Sequence, residues 1–494
     1  VHPLLTLSIF FCGLVLLGTA VNSAETPNVV LILIDDMGWN EMGFAGNSFI
    51  ETPETDAWAK RGVIFDQAYA SAPNCAPTRA SLMTGQAPPR HGVYTVVDDR
   101  HAPGSAHHKL LAATSRAELA SESVTLAEAL KAADYTTAMF GMWNLGRGRN
   151  GPATPTGQGF DLFTSPKEAG FDKDRYQRGD GTYLTDSFTD AAITWTKQEA
   201  ADGHPFFLYL AYHAVHAPFE PKPDLLKKYQ AKAASFGKRP AASPEYAATV
   251  EAVDQNIGRL MRHFESIGQA DNTIVVFHSD NGGERRRTEG LRDGKGSLYE
   301  GGLRVPTAMW GPGIPVGRRI ATPMASIDIY PTVLSLAGLS RPAAERLDGL
   351  DLRPLFEPGG TLEREALFWH FPCYTGGASP CSAMHSGAWK IIEHFETGSY
   401  EVYNLHHDPQ ESKNVAASEL ETTRRLKAEL LRWQTETGAP RPTLANPNYD
   451  PSAQPQKGRD QRGKGGKANK AGGSKNGKNA GRKNGKKSQQ KQQR

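Results

Sequence analysis

Two pairs of oxygen-bearing side chains follow apolar runs in this 494-residue chain. Asp35-Asp36 comes directly after Asn28–Ile34, and Asp280-Asn281 comes after Thr273–Phe277 with His278 and Ser279 between. Adjacent carboxylates repel one another unless a cation lies between them. A donor set of carboxylate and amide oxygens suits a hard ion, Ca2+ or Mg2+, rather than zinc. Each pair alone is ordinary turn chemistry at a strand end; two pairs at two strand ends point to a shared cation. Cys75 opens a second feature, the run Cys-Ala-Pro-Thr-Arg-Ala-Ser-Leu-Met-Thr-Gly that ends at Gly85. Pro77 marks a helix start, so Cys75 is expected just before a helix whose dipole favours a developing anion there. His213 and His216 follow a third apolar run, Phe206–Ala211.

The elements that must position these groups alternate in type. Asn28–Ile34, Thr137–Phe140, Phe206–Ala211 and Thr273–Phe277 are continuous apolar runs, the pattern of strands buried on both faces of a parallel sheet. Helical spacing over Val124–Ala133 and Glu245–Ile267 lies between them. Alternation of this kind implies a mostly parallel sheet covered by helices on both faces. In such sheets ligands bind beyond the carboxyl ends of the strands, and every polar cluster here sits just past one. After about residue 365 the texture changes. Short strand-like pieces (Ala366–His370, Trp389–Ile392, Tyr400–Asn404) lead to a helix over Ser418–Thr437, with Ser418 and Glu421 as a capping box and Gly438 as its stop. This predicts a small antiparallel sheet with one packed helix.

The chain is long enough for one large core and a smaller unit. Residues 1–24 read as an export signal: Leu4–Leu17 is apolar but too short to span a bilayer comfortably, and small residues follow. No other segment could span a membrane, so a periplasmic or secreted protein is expected. Export permits disulfides; Cys373 and Cys381, eight apart across a Gly-Gly loop, are the candidate pair, leaving Cys75 free. The net charge of +3 hides a split. Residues 457–494 hold 14 Lys and Arg against a single acid, Asp460. This Gly/Lys/Asn/Gln-rich tail, counted from 451, cannot bury a core. Its expected partner is an anionic polysaccharide or the cell envelope; export argues against nucleic acid. The expected organisation is therefore signal 1–24, catalytic α/β domain 25–365, C-terminal α+β subdomain 366–450 and basic tail 451–494.

The Cys75 run resembles the signature of the type I sulfatases, the formylglycine-dependent, arylsulfatase-like members of the alkaline-phosphatase-like superfamily. The resemblance extends over about residues 26–450. It includes Asp35-Asp36, Asp280-Asn281, Gly294-Lys295-Gly296, the stretch Tyr299-Glu300-Gly301-Gly302 through Arg304-Val305-Pro306, Tyr403-Asn404-Leu405, Asp408-Pro409 and Asn414. It implies a large mixed, mostly parallel sheet sandwiched by helices. It implies that Cys75 is oxidised by a maturation enzyme to formylglycine, whose hydrate attacks sulfur and displaces the alcohol; the second hydroxyl then expels sulfate. Ca2+ (or Mg2+) would be held by Asp35, Asp36, residue 75, Asp280 and Asn281. Arg79 would hold the formylglycine oxygens and the carboxylates, Lys295 the sulfate, and His216 the sulfate or the leaving group. Asp280 would also accept a proton. His213 and His278 have no family role and are expected to make core or supporting hydrogen bonds.

One stretch departs from the family pattern. Where Gly-Lys-Trp-His-Leu-Gly is usual, this chain has Gly141-Met142-Trp143-Asn144-Leu145-Gly146. Met142 cannot replace a cation. Asn144 can still hydrogen-bond the formylglycine but cannot take up a proton near neutral pH. Arg147 and Arg149, or Arg285-Arg286-Arg287, are candidate substitutes that would reach the sulfate or a second anionic group; a solvated loop is the plainer reading of the arginine trio. The expected function is release of sulfate from a sulfate ester, a sulfated carbohydrate above all. A phosphodiester or phosphonate monoester hydrolase, and a sulfated-glycan-binding protein with weakened catalysis, are the alternatives.

Overall fold

Val29 to Ile34 are all fully buried, because their strand is the middle of a sheet covered on both sides. The computed structural model describes residues 26–96, 104–146, 151–172, 175–237, 240–342, 346–375 and 378–453; the expected signal and nearly all of the basic tail lie outside these residues. In chain order the first ten strands are β1 (Asn28–Ile34), β2 (Val63–Phe65), β3 (Ala68–Tyr69), β4 (Thr136–Gly141), β5 (Leu162–Thr164), β6 (Phe206–Tyr212), β7 (Thr273–Ser279), β8 (Thr307–Trp310), β9 (Arg318–Ile320) and β10 (Met324–Ala325). Eight of them form one sheet in the order β5-β4-β6-β1-β7-β8-β2-β9; β3 and β10 pair separately. Neighbours from β5 to β7 are parallel, while β8 runs antiparallel to both β7 and β2. The sheet is thus mixed and mostly parallel.

Alternate residues of β1 feed two cores. Val30, Ile32 and Ile34 pack beneath the helices Leu184–Asp202 and Pro244–Ser266. Val29, Leu31 and Leu33 pack beneath the helices Cys75–Thr84, Leu126–Lys131 and Ile329–Leu336. Burying an aliphatic side chain of this size stabilises the fold by about 1.5–3 kcal/mol, so the central strand is held from both faces. The register also aligns the strand ends. Ile34 lies beside Tyr212 of β6 and Ser279 of β7. The next residue on each strand is Asp35, His213 or Asp280, so three strands deliver polar groups to one level.

The chain ends in a four-stranded antiparallel sheet of β11 (Leu367–Phe371), β12 (Cys381–Ser386), β13 (Trp389–His394) and β14 (Ser399–Asn404). β12 is absent from the sequence expectation, since Cys-Ser-Ala-Met-His-Ser carries little β-branched or aromatic signal. The last helix spans Leu420–Thr437 and sets Leu426 and Leu430 on Met384, Ile391 and Val402. The expected capping box does not form. Glu419 is the N-cap, without a side-chain cap, and Ser418 instead donates from Oγ to Val415 O at 3.1 Å. The expected disulfide is also absent: Cys373 and Cys381 are buried free thiols. The pairing Phe371↔Cys381 leaves Cys373 beyond the strand end, with its Sγ turned toward Ala113 O at 3.8 Å.

The other face of this sheet packs on the main body through Trp369, Phe371, Ile392 and Tyr403 against Tyr69, Leu298 and Leu303. An ion cluster crosses the same join. Lys390 Nζ, fully buried, lies 2.9 Å from both Glu300 Oε1 and Glu411 Oε1. Glu300 also accepts from Tyr69 Oη at 3.0 Å, and Glu411 accepts from Glu300 N at 2.7 Å. Removing Lys390 leaves Glu411 without a cation and Glu300 with only Arg304 Nε, at 3.9 Å. Lys390→Ala is expected to lower stability by about 3–5 kcal/mol, measured as the shift in urea unfolding free energy; a change under about 1 kcal/mol would show that the cluster does not hold the join.

Candidate active site

Asp35 ends β1 held on both sides by backbone: its N–H donates to Ala214 O at 3.1 Å, and its carbonyl accepts from Val215 N at 2.9 Å. In a continued strand Asp36 would point to the opposite face. It is instead left-handed, with φ 67, which turns its carboxylate back beside that of Asp35. The turn is fastened by Asp36 N to Asp280 Oδ1 at 3.1 Å, Met37 N to Ser279 Oγ at 3.0 Å and Gly38 N to Glu41 Oε2 at 2.6 Å. Such a backbone costs about 1–3 kcal/mol for a non-glycine residue, and these bonds offset that cost.

Cys75 is the first residue of its helix, two residues earlier than Pro77 suggests; Asn74 is the extended N-cap and Gly85 (φ 65) the C-cap. Pro77 fits inside the first turn because the amides there have no intrahelical partner. The thiol lies 3.4 Å from Asp35 Oδ1 and 3.9 Å from Asp36 Oδ1. Burial, then the Asp280 and Asp35 carboxylates, pushes it well above the ordinary thiol range. One turn on, Arg79 is fully buried beneath it. Its Nη2 reaches Asp280 Oδ2 at 2.6 Å and Asp35 Oδ2 at 3.2 Å, its Nε donates to Asp280 Oδ2 at 3.0 Å, and its Nη1 donates to Met142 O. Burial opposes ionisation of Asp35, but Arg79, His213, His216 and Lys295 together outweigh it and hold that carboxylate well below the usual range. Asp280 is pushed up to about 7 by burial and by Asp35.

Asn281 donates from Nδ2 to Asp36 Oδ1 at 2.8 Å and to Gly282 O at 3.0 Å. Its Oδ1 is buried without a hydrogen-bond partner. The next residue must be glycine, since a Cβ there would lie 2.2 Å from Gly301 O. Ligand atoms of Asp35, Asp36, Cys75 and Asp280 all lie within 4.8 Å of one another. Crowded oxygens, one of them an orphaned amide oxygen, fit a hard cation. No second such cluster of three or more His, Cys, Asp or Glu occurs among the described residues.

One further cation and two histidines close the site. Lys295 Nζ contacts Asp36 Oδ1 at 2.5 Å; its N–H donates to Gly283 O at 2.9 Å. His216 stands with Nε2 3.7 Å from Asp36 Oδ2 and Nδ1 2.6 Å from Ala217 O. Burial works against its charged form, but Asp36 and Asp35 raise its pKa above the usual value. His213 Nδ1 lies 3.7 Å from Asp35 Oδ2. His278 is a structural residue, bonded to Thr307 Oγ1 at 2.7 Å and Ser326 Oγ at 2.8 Å.

The substitute cations fare differently. Arg147 and Arg149 lie outside the described residues. Arg287 is buried and turned away from any substrate: its Nε pairs with Glu41 Oε1 at 2.9 Å, its Nη2 donates to Asp36 O at 3.3 Å, and its guanidinium covers the Tyr246 ring at 3.8 Å. It braces the Asp36 turn, so the expectation that it binds substrate is corrected. Arg285 Nη2 bonds Asp293 at 3.0 Å, and Arg286 is exposed. Met142 and Asn144 do follow β4 next to the site; Gly141 (φ 122) permits this, because a Cβ there would meet Ala211 O at 1.8 Å. Sequence reading missed Glu41 and Tyr176. Tyr176 donates from Oη to His213 O at 2.9 Å and His216 O at 2.6 Å; nothing local in its sequence signals this.

A buried oxygen cluster, a helix-start side chain aimed into it, and arginine, lysine and histidine around it define a hydrolase of anionic esters. The family is set by comparison. Residues 27–339 match the sulfatase family, and residues 290–436 match the C-terminal part of N-sulphoglucosamine sulphohydrolase. A sulfatase of Formosa agariphila is 29% identical over 506 residues, covering 85% of this chain and 91% of that protein. Human N-acetylgalactosamine-6-sulfatase is 31% identical, covering 71% of this chain and 69% of its own. The structure of Ps i-CgsB in complex with k-i-k-neocarrahexaose superposes with a TM-score of 0.70 at 27% identity, over 85% of this chain and 94% of that one. The chain belongs to the sulfatase family and is a sulfuric ester hydrolase of the alkaline-phosphatase-like fold. Arg79→Ala leaves Asp35 and Asp280 buried without their cation. It is expected to cost about 3–5 kcal/mol of stability and to abolish turnover, read from urea unfolding and sulfate release; wild-type stability would overturn the role given to Arg79.

Proposed function

We propose that this sulfatase releases inorganic sulfate from a sulfated carbohydrate, with Cys75 converted to formylglycine and Ca2+ held by Asp35, Asp36, Asp280, Asn281 and residue 75. The observation that carries this reading is the position of the Cys75 side chain on the first turn of a buried helix, 3.4 Å from Asp35 Oδ1. A thiol kept neutral by burial and carboxylates is a poor nucleophile at that place. The modified residue would supply an activated hydroxyl for attack on sulfur and a second hydroxyl to expel sulfate, with the cation lowering the cost of the negative charge.

The surrounding residues divide the remaining work. Arg79 holds Asp35 and Asp280 apart and oriented. Lys295, in contact with Asp36, binds the sulfate oxygens. His216 has its Nδ1 committed to Ala217 O, so its Nε2 faces the cluster to hydrogen-bond sulfate or protonate the departing alcohol. Asn144 contributes a neutral hydrogen bond where a histidine is usual. Sulfated sugars are favoured because N-acetylgalactosamine-6-sulfatases are among the relatives and a solved relative holds a neocarrahexaose. The lack of a second ligand cluster among the described residues weighs against a two-metal phosphatase. Export, a maturation enzyme as partner, and retention of the basic tail near anionic polysaccharide belong to the same proposal; no helix of the described residues is long and apolar enough to cross a membrane.

Peptide mass spectrometry of protein co-expressed with a maturation enzyme should find formylglycine at position 75, and aryl sulfate should be hydrolysed well ahead of aryl phosphate. Unmodified Cys75 in an active enzyme, or faster phosphate release, would sink the proposal. Cys75→Ala should eliminate turnover. Lys295→Ala removes one charge-assisted donor and should lower kcat by about a hundred- to a thousand-fold, measured by sulfate release. A chelator should inactivate the enzyme, and added Ca2+ should restore it.

A further inference from the structure

His213 is the one group at the site whose chemistry is unaccounted for. It is 5% exposed, and both of its ring nitrogens lack a hydrogen-bond partner among the described residues. Buried polar nitrogens are rarely left so. Nδ1 is aimed at the cluster, 3.7 Å from Asp35 Oδ2. The ring is also stacked with two others, Tyr176 at 5.3 Å and 13° and His216 at 5.2 Å and 22°. The backbone around it is fixed, with Tyr176 Oη bonded to the carbonyls of both histidines and Ala214 bonded to Asp35 N. The imidazole is therefore held with Nδ1 toward Asp35.

The two carboxylates show what that action is. Asp35 receives Arg79 on Oδ2, leaving Oδ1 toward Cys75. Asp36 receives Asn281 and Lys295 on Oδ1, with His216 toward Oδ2. The stacked histidines thus address one carboxylate each. We infer that His213 is a positioning residue: its Nδ1–H donates to Asp35 Oδ2 and fixes the oxygen that Asp35 offers to the cation, while its ring face holds the His216 imidazole. The bond needs an approach of about 0.8 Å to reach ordinary length. This rests on the cation reading above and gives a partner to the supporting hydrogen bond expected of His213. Residues that orient a metal ligand in this way typically change metal affinity about 10- to 100-fold when lost.

The test uses the full chain carrying Cys75→Ser, so that modification does not vary, with Ca2+ alone as the probe in calorimetry. Adding His213→Phe, which keeps a flat ring and removes the donor, should weaken Ca2+ binding about 10- to 100-fold. Adding His213→Asn, whose amide can take the place of Nδ1–H, should recover most of that affinity. In otherwise wild-type, modified enzyme, His213→Asn should still lower kcat with KM little changed, because His216 loses its stacked neighbour. Nitrogen-15 spectra of the Ca2+-bound protein should show His213 protonated at Nδ1, a readout that needs no folded His213→Phe protein. Equal Ca2+ affinity in parent and His213→Phe, or an Nε2-protonated His213, would overturn the assignment. No Ca2+ binding by the parent would overturn the cation reading itself.

Discussion

Three carboxylates buried at one level of a parallel sheet are the constraint on which the rest of this molecule depends. Each ion taken out of water costs several kcal/mol, and Asp35, Asp36 and Asp280 are almost wholly out of water. Arg79 offsets part of that cost from below. Because Arg79 is one helical turn from Cys75, the same contact that neutralises the carboxylates delivers the Cys75 side chain to them. Moving the helix would break the ion pairs, and shifting β1 by one residue would send Asp35 to the other face. Charge compensation and placement of the Cys75 side chain are thus a single packing problem.

The C-terminal sheet serves the same centre from outside. Lys295 lies in a loop bonded to Pro73 through Gly296 N at 2.8 Å and to Gly283 through its own N–H. Farther along, Arg292 Nη1 donates to Tyr403 Oη at 2.7 Å and Glu411 O at 2.9 Å, and Glu300 joins the Lys390 cluster. The loop carrying Lys295 is therefore suspended between the Cys75 segment and the antiparallel sheet. This gives the sheet a function that its distance in sequence conceals.

The departures at Met142 and Asn144 also acquire a physical reading. The service that position 142 performs for the fold is its carbonyl, which accepts from Arg79. A backbone group does that equally well for any side chain, so a lysine there can be lost without loosening the cluster. The neighbouring arginines do not simply replace it. Arg287 supports the Asp36 turn through Glu41, and Arg285 is engaged with Asp293. Among the described residues Lys295 stays in contact with the carboxylate cluster, through Asp36, which makes its substitution a sharp probe of rate.

Much was legible in residue order alone. Four apolar runs ending in polar clusters specified a parallel sheet and its ligand edge, because strands buried on both faces must be continuously apolar. The Asp35-Asp36 pair, Asp280 and the Cys75 run named groups whose ligand atoms lie within 4.8 Å of one another. The strand β12 was illegible, since its small polar residues gain their structure from cross-strand neighbours. The Cys373–Cys381 bond was wrongly expected, because spacing says nothing of the register that separates the thiols. Residue order could not tell Arg287 from Arg286, give Glu41 a place, or say which group His213 faces. Those roles depend on which groups distant segments bring within hydrogen-bond reach, and only the packing of helices on the sheet decides that. Sequence by itself determined the chemistry available; tertiary structure decided which charges compensate which.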